Sequence, residues 1–181
     1  MKIYILFIFL LGLSAIVLTG FISSGSELKI GSKAPKFSLL DQDGNNFSLE
    51  EYEGKKLVIY FFPRTSTPGW TKQACGFRDK YEVYKNNNIE IIGISYDARQ
   101  KQKDFVKKHA LNFLVLSDFE KKVSKLYGVD TYFFPRRVSF LIDEKGIIFD
   151  VVKDVSLDQY AENIINIFKK NNLLNGSDDK E

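Results

Sequence analysis

The chain has very few of the residues that usually carry redox or metal chemistry. Its 181 residues include one cysteine, one histidine, one methionine and one tryptophan. A single cysteine excludes any disulfide within the chain. The single histidine, His109, has no cluster of further ligands around it in the sequence, which argues against a metal site. We therefore predict no metal and no other cofactor.

The chain also lacks a strong excess of charge of either sign. The chain carries 26 lysines and arginines against 23 acidic residues, a net charge of +3, and the two signs are interspersed. Because no basic stripe stands out, we expect no nucleic-acid partner. The length and the 44% hydrophobic content are typical of one globular domain with a short additional segment.

That additional segment is an almost unbroken apolar run at the N-terminus, Ile3–Ile22. About 20 residues of helix rise about 30 Å, which is enough to cross a bilayer. The run can be an uncleaved membrane anchor or a signal peptide, for which Ser23–Gly25 offers a small-residue cleavage site. We thus predict an anchor or signal segment over 1–25. A folded domain over 26–181 would then be exported or membrane-anchored on the extracytoplasmic or lumenal side, with 3–22 as its membrane contact.

The rest of the chain alternates between strand-like and helix-like segments. Uninterrupted apolar runs predict three buried strands: Leu57–Phe62, Ile89–Ser95 and Val138–Ile142. Charged or amphipathic segments predict four helices: Thr71–Lys85, Lys101–Lys108, Lys121–Tyr127 and Leu157–Lys170. An Asp-Gly turn inside Phe37–Leu49 predicts a hairpin. This order favours an α/β domain with a mixed central sheet flanked by helices.

The segment that follows the first buried strand and runs into the first predicted helix reads PRTSTPGWTKQACGFRD, Pro63–Asp79. Taken by itself, Pro63 is a strand terminator, and Thr67 before Pro-Gly is a turn or N-cap residue at a helix start. The segment also resembles the active-site segment of the Q-type (bacterioferritin-comigratory) peroxiredoxins, which reads Pro-x-x-x-Thr-x-x-Cys. Pro63 and Thr67 match this pattern, whereas Trp70 occupies the position of the peroxide-attacking (peroxidatic) cysteine.

Further residues extend the resemblance over roughly Ile30–Lys170. Cys75, five residues after Trp70, matches the family's resolving cysteine, and Arg137 in RVSFLID matches the arginine beside the active cysteine. The resemblance implies a thioredoxin-like fold. It also implies an antioxidant oxidoreductase that reduces hydrogen peroxide and organic hydroperoxides with thioredoxin or a similar dithiol, and we expect a monomer.

The same resemblance makes the substitution at position 70 important. A thiolate at a helix N-terminus has a lowered pKa, and the threonine and arginine hold the peroxide in line for attack. The indole of Trp70 offers one N–H donor and no ionisation near neutral pH, so we expect impaired peroxidase activity. Three alternatives remain open: an inactive binding or scaffold module, a thiol protein working through Cys75, and a selenoprotein whose UGA codon at position 70 was translated as tryptophan.

The remaining thiol is predicted to be inert. Five residues turn a helix by about 500°, which leaves the side chains of Trp70 and Cys75 about 140° apart. A free cysteine within a helix packs as a small hydrophobe. We therefore expect Cys75 to be a buried, unreactive thiol.

Overall fold

A computed structural model describes residues 28–65, 67–153 and 159–174. The apolar run Ile3–Ile22 and the predicted boundary at residue 25 lie outside these ranges. Within them, no helix is both long and apolar enough to span a membrane. The described chain folds around one mixed sheet.

Seven strands form the sheet, and their bounds are β1 Ser38–Asp41, β2 Asn46–Ser48, β3 Lys56–Phe61, β4 Ile89–Ser95, β5 Leu114–Ser117, β6 Val138–Ile142 and β7 Ile148–Val152. Five α-helices surround it, and their bounds are α1 Pro68–Asp79, α2 Tyr81–Asn86, α3 Arg99–His109, α4 Lys122–Leu126 and α5 Tyr160–Lys170. A short 3-10 helix, Leu49–Tyr52, follows β2.

The strand order is β2-β1-β5-β4-β3-β6-β7. β3, β4 and β5 are parallel, while the remaining neighbours pair antiparallel. Every residue of β3 is buried, which fits its uninterrupted apolar sequence because a central parallel strand is covered on both faces. The loops after β3, β4 and β5 meet at one edge of the sheet, and the sequence motif begins at that edge.

Apolar cores cover both faces of the sheet. On one face, β3 and β4 contribute Val58, Tyr60 and Ile91, and helices α1, α2, α3 and α5 cover them. On the other face lie the aromatic residues of the hairpin and α4 with its flanking residues, packed against Ile59 and Phe61. The α/β fold with a mixed sheet and flanking helices is confirmed, as are the hairpin and the three buried strands.

One predicted helix is divided in the structure. The spacing predicts a single helix over Thr71–Lys85, whereas α1 ends at Asp79 and α2 begins at Tyr81. The backbone of Lys80 leaves the helical region, with φ −104° and ψ 6°. On both sides of the break the helices keep one face toward the core, where the ring centroids of Phe77 and Tyr84 lie 5.7 Å apart.

A close approach between β3 and β4 explains a glycine at the centre of the sheet. A Cβ atom on Gly93 would lie 2.8 Å from the hydroxyl oxygen of Tyr60. Any larger side chain at this position must therefore displace a fully buried tyrosine. The φ of Gly93 lies outside the left-handed region, so its backbone conformation does not require glycine. The requirement comes from packing against Tyr60.

Candidate functional site

The segment Pro63–Asp79 forms the loop after β3 and the whole of α1. Thr67 is the N-cap of α1 in an extended conformation, with φ −87° and ψ 139°, and Pro68 is the first helical residue. The Thr67 hydroxyl donates to the carbonyl of Arg64 at 3.3 Å, and its own carbonyl accepts from Thr71 N–H at 3.0 Å. Backbone N–H groups in the first turn of a helix have no partner within the helix and create a positive end.

The loop is tied to the carboxyl end of β4. The backbone N–H of Thr65 donates to Asp97 Oδ2 at 2.8 Å, and the Ser95 hydroxyl donates to the same oxygen at 3.3 Å. Gln102 of α3 donates to the Ser95 hydroxyl at 3.2 Å. Pro63 lies half-buried within this anchored loop. The start of α1 is therefore held in place by groups from two other elements.

Trp70 points into the core rather than into solvent. Its side chain is fully buried, and its ring stacks on Phe62 with the centroids 3.5 Å apart and the planes 3° from parallel. Tyr60 and Phe105 lie farther out, with ring centroids at 4.9 Å and 5.8 Å. Within the described part of the chain, Trp70 Nε1 has no hydrogen-bond partner. The indole therefore acts as a core side chain at the third residue of α1.

Arg137 approaches α1 from the residue just before β6. Its Nη1 donates to Oε1 of Gln73 at 3.3 Å, and Gln73 is buried one turn after Trp70. Arg137 itself is half-buried, and this burial lowers the pKa of its guanidinium, an effect that Tyr160 opposes. The structure thus brings Arg137 to the helix that carries Trp70.

A polar cluster that the sequence analysis missed surrounds this contact. Tyr160 of α5 shares a short hydrogen bond with the hydroxyl of Ser139 in β6. Burial raises the pKa of Tyr160 to about 12, against the opposing effects of Ser139, Arg137 and Gln73. Gln73 could have been noticed, because it is a polar residue beside Ala74 on the apolar stripe of a predicted helix.

The prediction that Cys75 is buried is wrong. Its side chain is partly exposed and faces a groove between α1 and α3. The helical rotation explains this, because the indole of Trp70 points into the core and Cys75 lies about 140° away around the helix. Arg78 lies close enough to the thiol to interact with it. The pKa of Arg78 is raised mainly by its hydrogen bond to Asp79, and Cys75 raises it further. His109 lines the same groove.

Comparison with known proteins identifies the family. Residues 30–151 match the AhpC/TSA family model. The chain belongs to this family. The Escherichia coli K12 protein named Peroxiredoxin Bcp is 39% identical over 153 residues, covering 80% of this chain and 98% of that protein. The Triticum aestivum protein named Peroxiredoxin Q, chloroplastic, is 48% identical over 121 residues, which cover 65% of this chain and about half, 56%, of that protein's length.

Solved structures agree with this assignment. Peroxidoxin BcpB from Mycobacterium tuberculosis superposes with a TM-score of 0.75 at 29% identity, covering 80% of this chain and 98% of that one. A PrxQ mutant from Xylella fastidiosa superposes with a TM-score of 0.77 at 23% identity, covering 81% and 99%. The resemblance to the Q-type family and the thioredoxin-like fold of the peroxiredoxin type are therefore confirmed.

The predicted localisation needs correction. The matched relatives are named as a chloroplastic peroxiredoxin Q and as peroxiredoxin Bcp, and neither name is that of an exported or membrane-anchored protein. In the ranges that the structure describes, no helix could cross a bilayer. A sufficiently long apolar run satisfies the length requirement for a span without showing that a span forms. Export and anchoring through residues 3–22 are not retained.

Proposed function

We propose that the chain is a Q-type peroxiredoxin whose reaction is the reduction of hydroperoxides by a dithiol, and that Trp70 impairs this reaction in the chain as written. The substrate class is hydrogen peroxide and organic hydroperoxides, and the reductant is thioredoxin or a similar dithiol. Membership of the AhpC/TSA family and the named relatives support a thiol peroxidase function. Neither comparison favours the scaffold alternative or the selenoprotein alternative.

The observation that carries the proposal is the contact between Arg137 and α1. A half-buried guanidinium reaches the first turns of this helix through Gln73, and Thr67 occupies the N-cap position of the same helix. A helix N-terminus and a nearby arginine are the groups that stabilise a thiolate and a bound peroxide. We assign Arg137 and Thr67 to peroxide positioning and Pro63 to shaping the loop that shields the pocket.

The reaction defines what position 70 lacks. A thiolate there would attack one oxygen of the hydroperoxide, the O–O bond would break, and the other oxygen would leave as alkoxide or hydroxide and take up a proton. The resulting sulfenic acid would return to the thiol when a dithiol reduces it, releasing water and forming a disulfide. The indole of Trp70 supplies no such nucleophile, so this cycle cannot begin at that position.

Cys75 occupies the resolving position and cannot resolve an intermediate that does not form. Its thiol faces the groove beside α3, whereas the indole of Trp70 faces the core on another side of α1. The chain has no second cysteine with which Cys75 could form an intramolecular disulfide. In the chain as written we therefore expect Cys75 to react like an ordinary exposed thiol.

Peroxide consumption by the chain as written tests this proposal. With a dithiol present for recycling, we expect hydrogen peroxide and tert-butyl hydroperoxide to disappear no faster than with free cysteine at equal concentration. The Cys75→Ser variant controls for the single thiol and should remove only that slow reaction. Fast turnover that Cys75→Ser abolishes would make Cys75 the nucleophile. Fast turnover that survives Cys75→Ser would place the chemistry outside both positions.

A further inference from the structure

A small polar cluster lies buried between α1, β6 and α5, in a core that is otherwise apolar. Gln73 of α1, Ser139 of β6 and Tyr160 of α5 are 1%, 1% and 3% exposed, and Arg137 lies half-buried beside them. These four residues are called the polar cluster below. A buried polar side chain costs stability unless it is hydrogen-bonded, so a cluster of them inside an apolar core needs an explanation.

The Gln73 amide is the centre of the polar cluster, and Arg137 fixes its orientation. A guanidinium has only donors, so the amide oxygen must face it, and it accepts from Arg137 Nη1 at 3.3 Å. The amide nitrogen then faces away from Arg137, and within the described residues Nε2 forms no aligned hydrogen bond. Burial raises the pKa of Tyr160 to about 12, and Gln73 opposes this rise as a hydrogen-bond donor. The amide nitrogen therefore lies close to the phenol oxygen.

Tyr160 is held in place by contacts of both its hydroxyl and its ring. The hydroxyl shares a hydrogen bond with the hydroxyl of Ser139, and the ring meets the ring of Phe77 edge-on with centroids 5.6 Å apart. Ser139 lies two residues after Arg137, and alternate residues of an extended segment face the same side. A phenol has one proton to donate to Ser139 and lone pairs with which to accept from Gln73. Tyr160 can therefore hold the amide from the side opposite to Arg137.

The Arg137 guanidinium has a neutral partner rather than an acidic one. None of the ion pairs formed among the described residues includes Arg137. A carboxylate would hold the guanidinium more strongly, but it would also offset the positive charge. An amide orients the guanidinium through its oxygen and leaves the whole charge available to an anion at the N-terminus of α1. Because the neutral hydrogen bond is the weaker of the two, the amide itself must be held in place.

We propose that Tyr160 is a positioning residue for the peroxide reaction: its hydroxyl holds the Gln73 amide, and the amide orients the Arg137 guanidinium toward the start of α1. The inference rests on the proposed function, in which Arg137 positions the peroxide. Tyr160 itself does not contact the substrate. Loss of its hydroxyl would leave the amide free to rotate, and the guanidinium would then sample several positions. Misplacement of a positioned group by about 1 Å can cost up to about a hundredfold in rate, so the loss should be measurable.

Nuclear magnetic resonance of the chain as written tests the positioning step without any activity. The side-chain Nε–Hε signal of Arg137 is assigned by its loss in Arg137→Lys. In Tyr160→Phe we expect this signal to broaden or to move toward the position of an unconstrained arginine. Tyr84→Phe is the matched control, because it removes another buried hydroxyl, which donates to the carbonyl of Ala161 in α5 at 2.6 Å, and it should leave the signal unchanged. An Arg137 signal that Tyr160→Phe also leaves unchanged would overturn the proposal.

Peroxide kinetics in the Trp70→Cys background test the consequence for the reaction. Tyr160→Phe should lower the second-order rate constant of Trp70→Cys about tenfold, and Tyr84→Phe should change it by less than about twofold. A rate constant that Tyr160→Phe does not lower, or losses of equal size in both double variants, would overturn the positioning role. If Trp70→Cys itself reacts no faster than free cysteine, the proposed function fails, and the Arg137 signal then decides by itself whether Tyr160 holds the guanidinium.

Discussion

Removal of the Trp70 side chain should destabilise the domain strongly, even though Trp70 lies in the first turn of a helix, directly after a loop. The indole is fully buried and stacks on Phe62 at 3.5 Å. Burial of about 200 Å² of aromatic surface at about 25 cal/mol per Å² contributes about 5 kcal/mol. The buried Nε1 without a partner costs about 1–3 kcal/mol of this. Trp70→Ala should therefore lower the free energy of unfolding by about 3 kcal/mol.

Trp70→Phe is the matched control for this prediction. A phenyl ring keeps the stack on Phe62 and removes the unpaired N–H, so the free energy of unfolding should change by less than about 1 kcal/mol. Urea unfolding followed by far-UV circular dichroism measures both, because the variants lose the chain's only tryptophan and its fluorescence. If Trp70→Ala costs less than about 1 kcal/mol, the indole is not a core residue and this reasoning fails.

Three further predictions follow from buried groups. Gly93→Ala should cost about 1–3 kcal/mol of stability, because its Cβ would meet Tyr60, and Tyr60→Phe in the same chain should relieve part of that cost in a double-mutant cycle by chemical unfolding. Lys56→Met should cost about 1–3 kcal/mol in the same assay, because the buried ammonium donates to the carbonyl of Leu173 at 2.7 Å; an unchanged midpoint would contradict this role. Folding raises the pKa of Tyr160 from 10.0 to about 12, so its contribution to the free energy of unfolding is complete below pH 10 and is lost as the pH rises through 12. Over that window Tyr160→Phe should make the fall in the free energy of unfolding shallower by about 1.4 kcal/mol per pH unit, and an equally steep fall would refute this.

The sheet could be predicted from the sequence because its central strands are buried on both faces. Uninterrupted apolar runs such as Leu57–Phe62 have few alternatives to a buried strand, and the Asp-Gly turn specifies the hairpin. The break at Lys80 could not be predicted in this way. Phe77 and Tyr84 are seven residues apart and would share one face of an unbroken helix, so helical spacing alone continues through the break.

The site was predictable where it depends on a local motif and less so where it depends on packing. The residue types around Thr67 predicted a turn or N-cap there, and Thr67 occupies the N-cap position of the helix that carries Trp70. The exposure of Cys75 and the contact between Arg137 and Gln73 depend on helix rotation and on segments distant in sequence. The predicted localisation was wrong because an apolar segment long enough to span a bilayer does not by itself show that a span forms.

The rate at which a Trp70→Cys variant consumes hydrogen peroxide tests the central claim most directly. The claim is that a peroxiredoxin pocket remains around a position that has lost its nucleophile. Thr67 lies at the N-cap position of α1, and Arg137 reaches the same helix through Gln73. We propose that these groups and the helix N-terminus would stabilise a thiolate at position 70 and orient the peroxide. Stopped-flow kinetics should give a second-order rate constant at least about 100 times that of free cysteine. A constant no larger than that of free cysteine, in a variant shown to be folded, would contradict the claim.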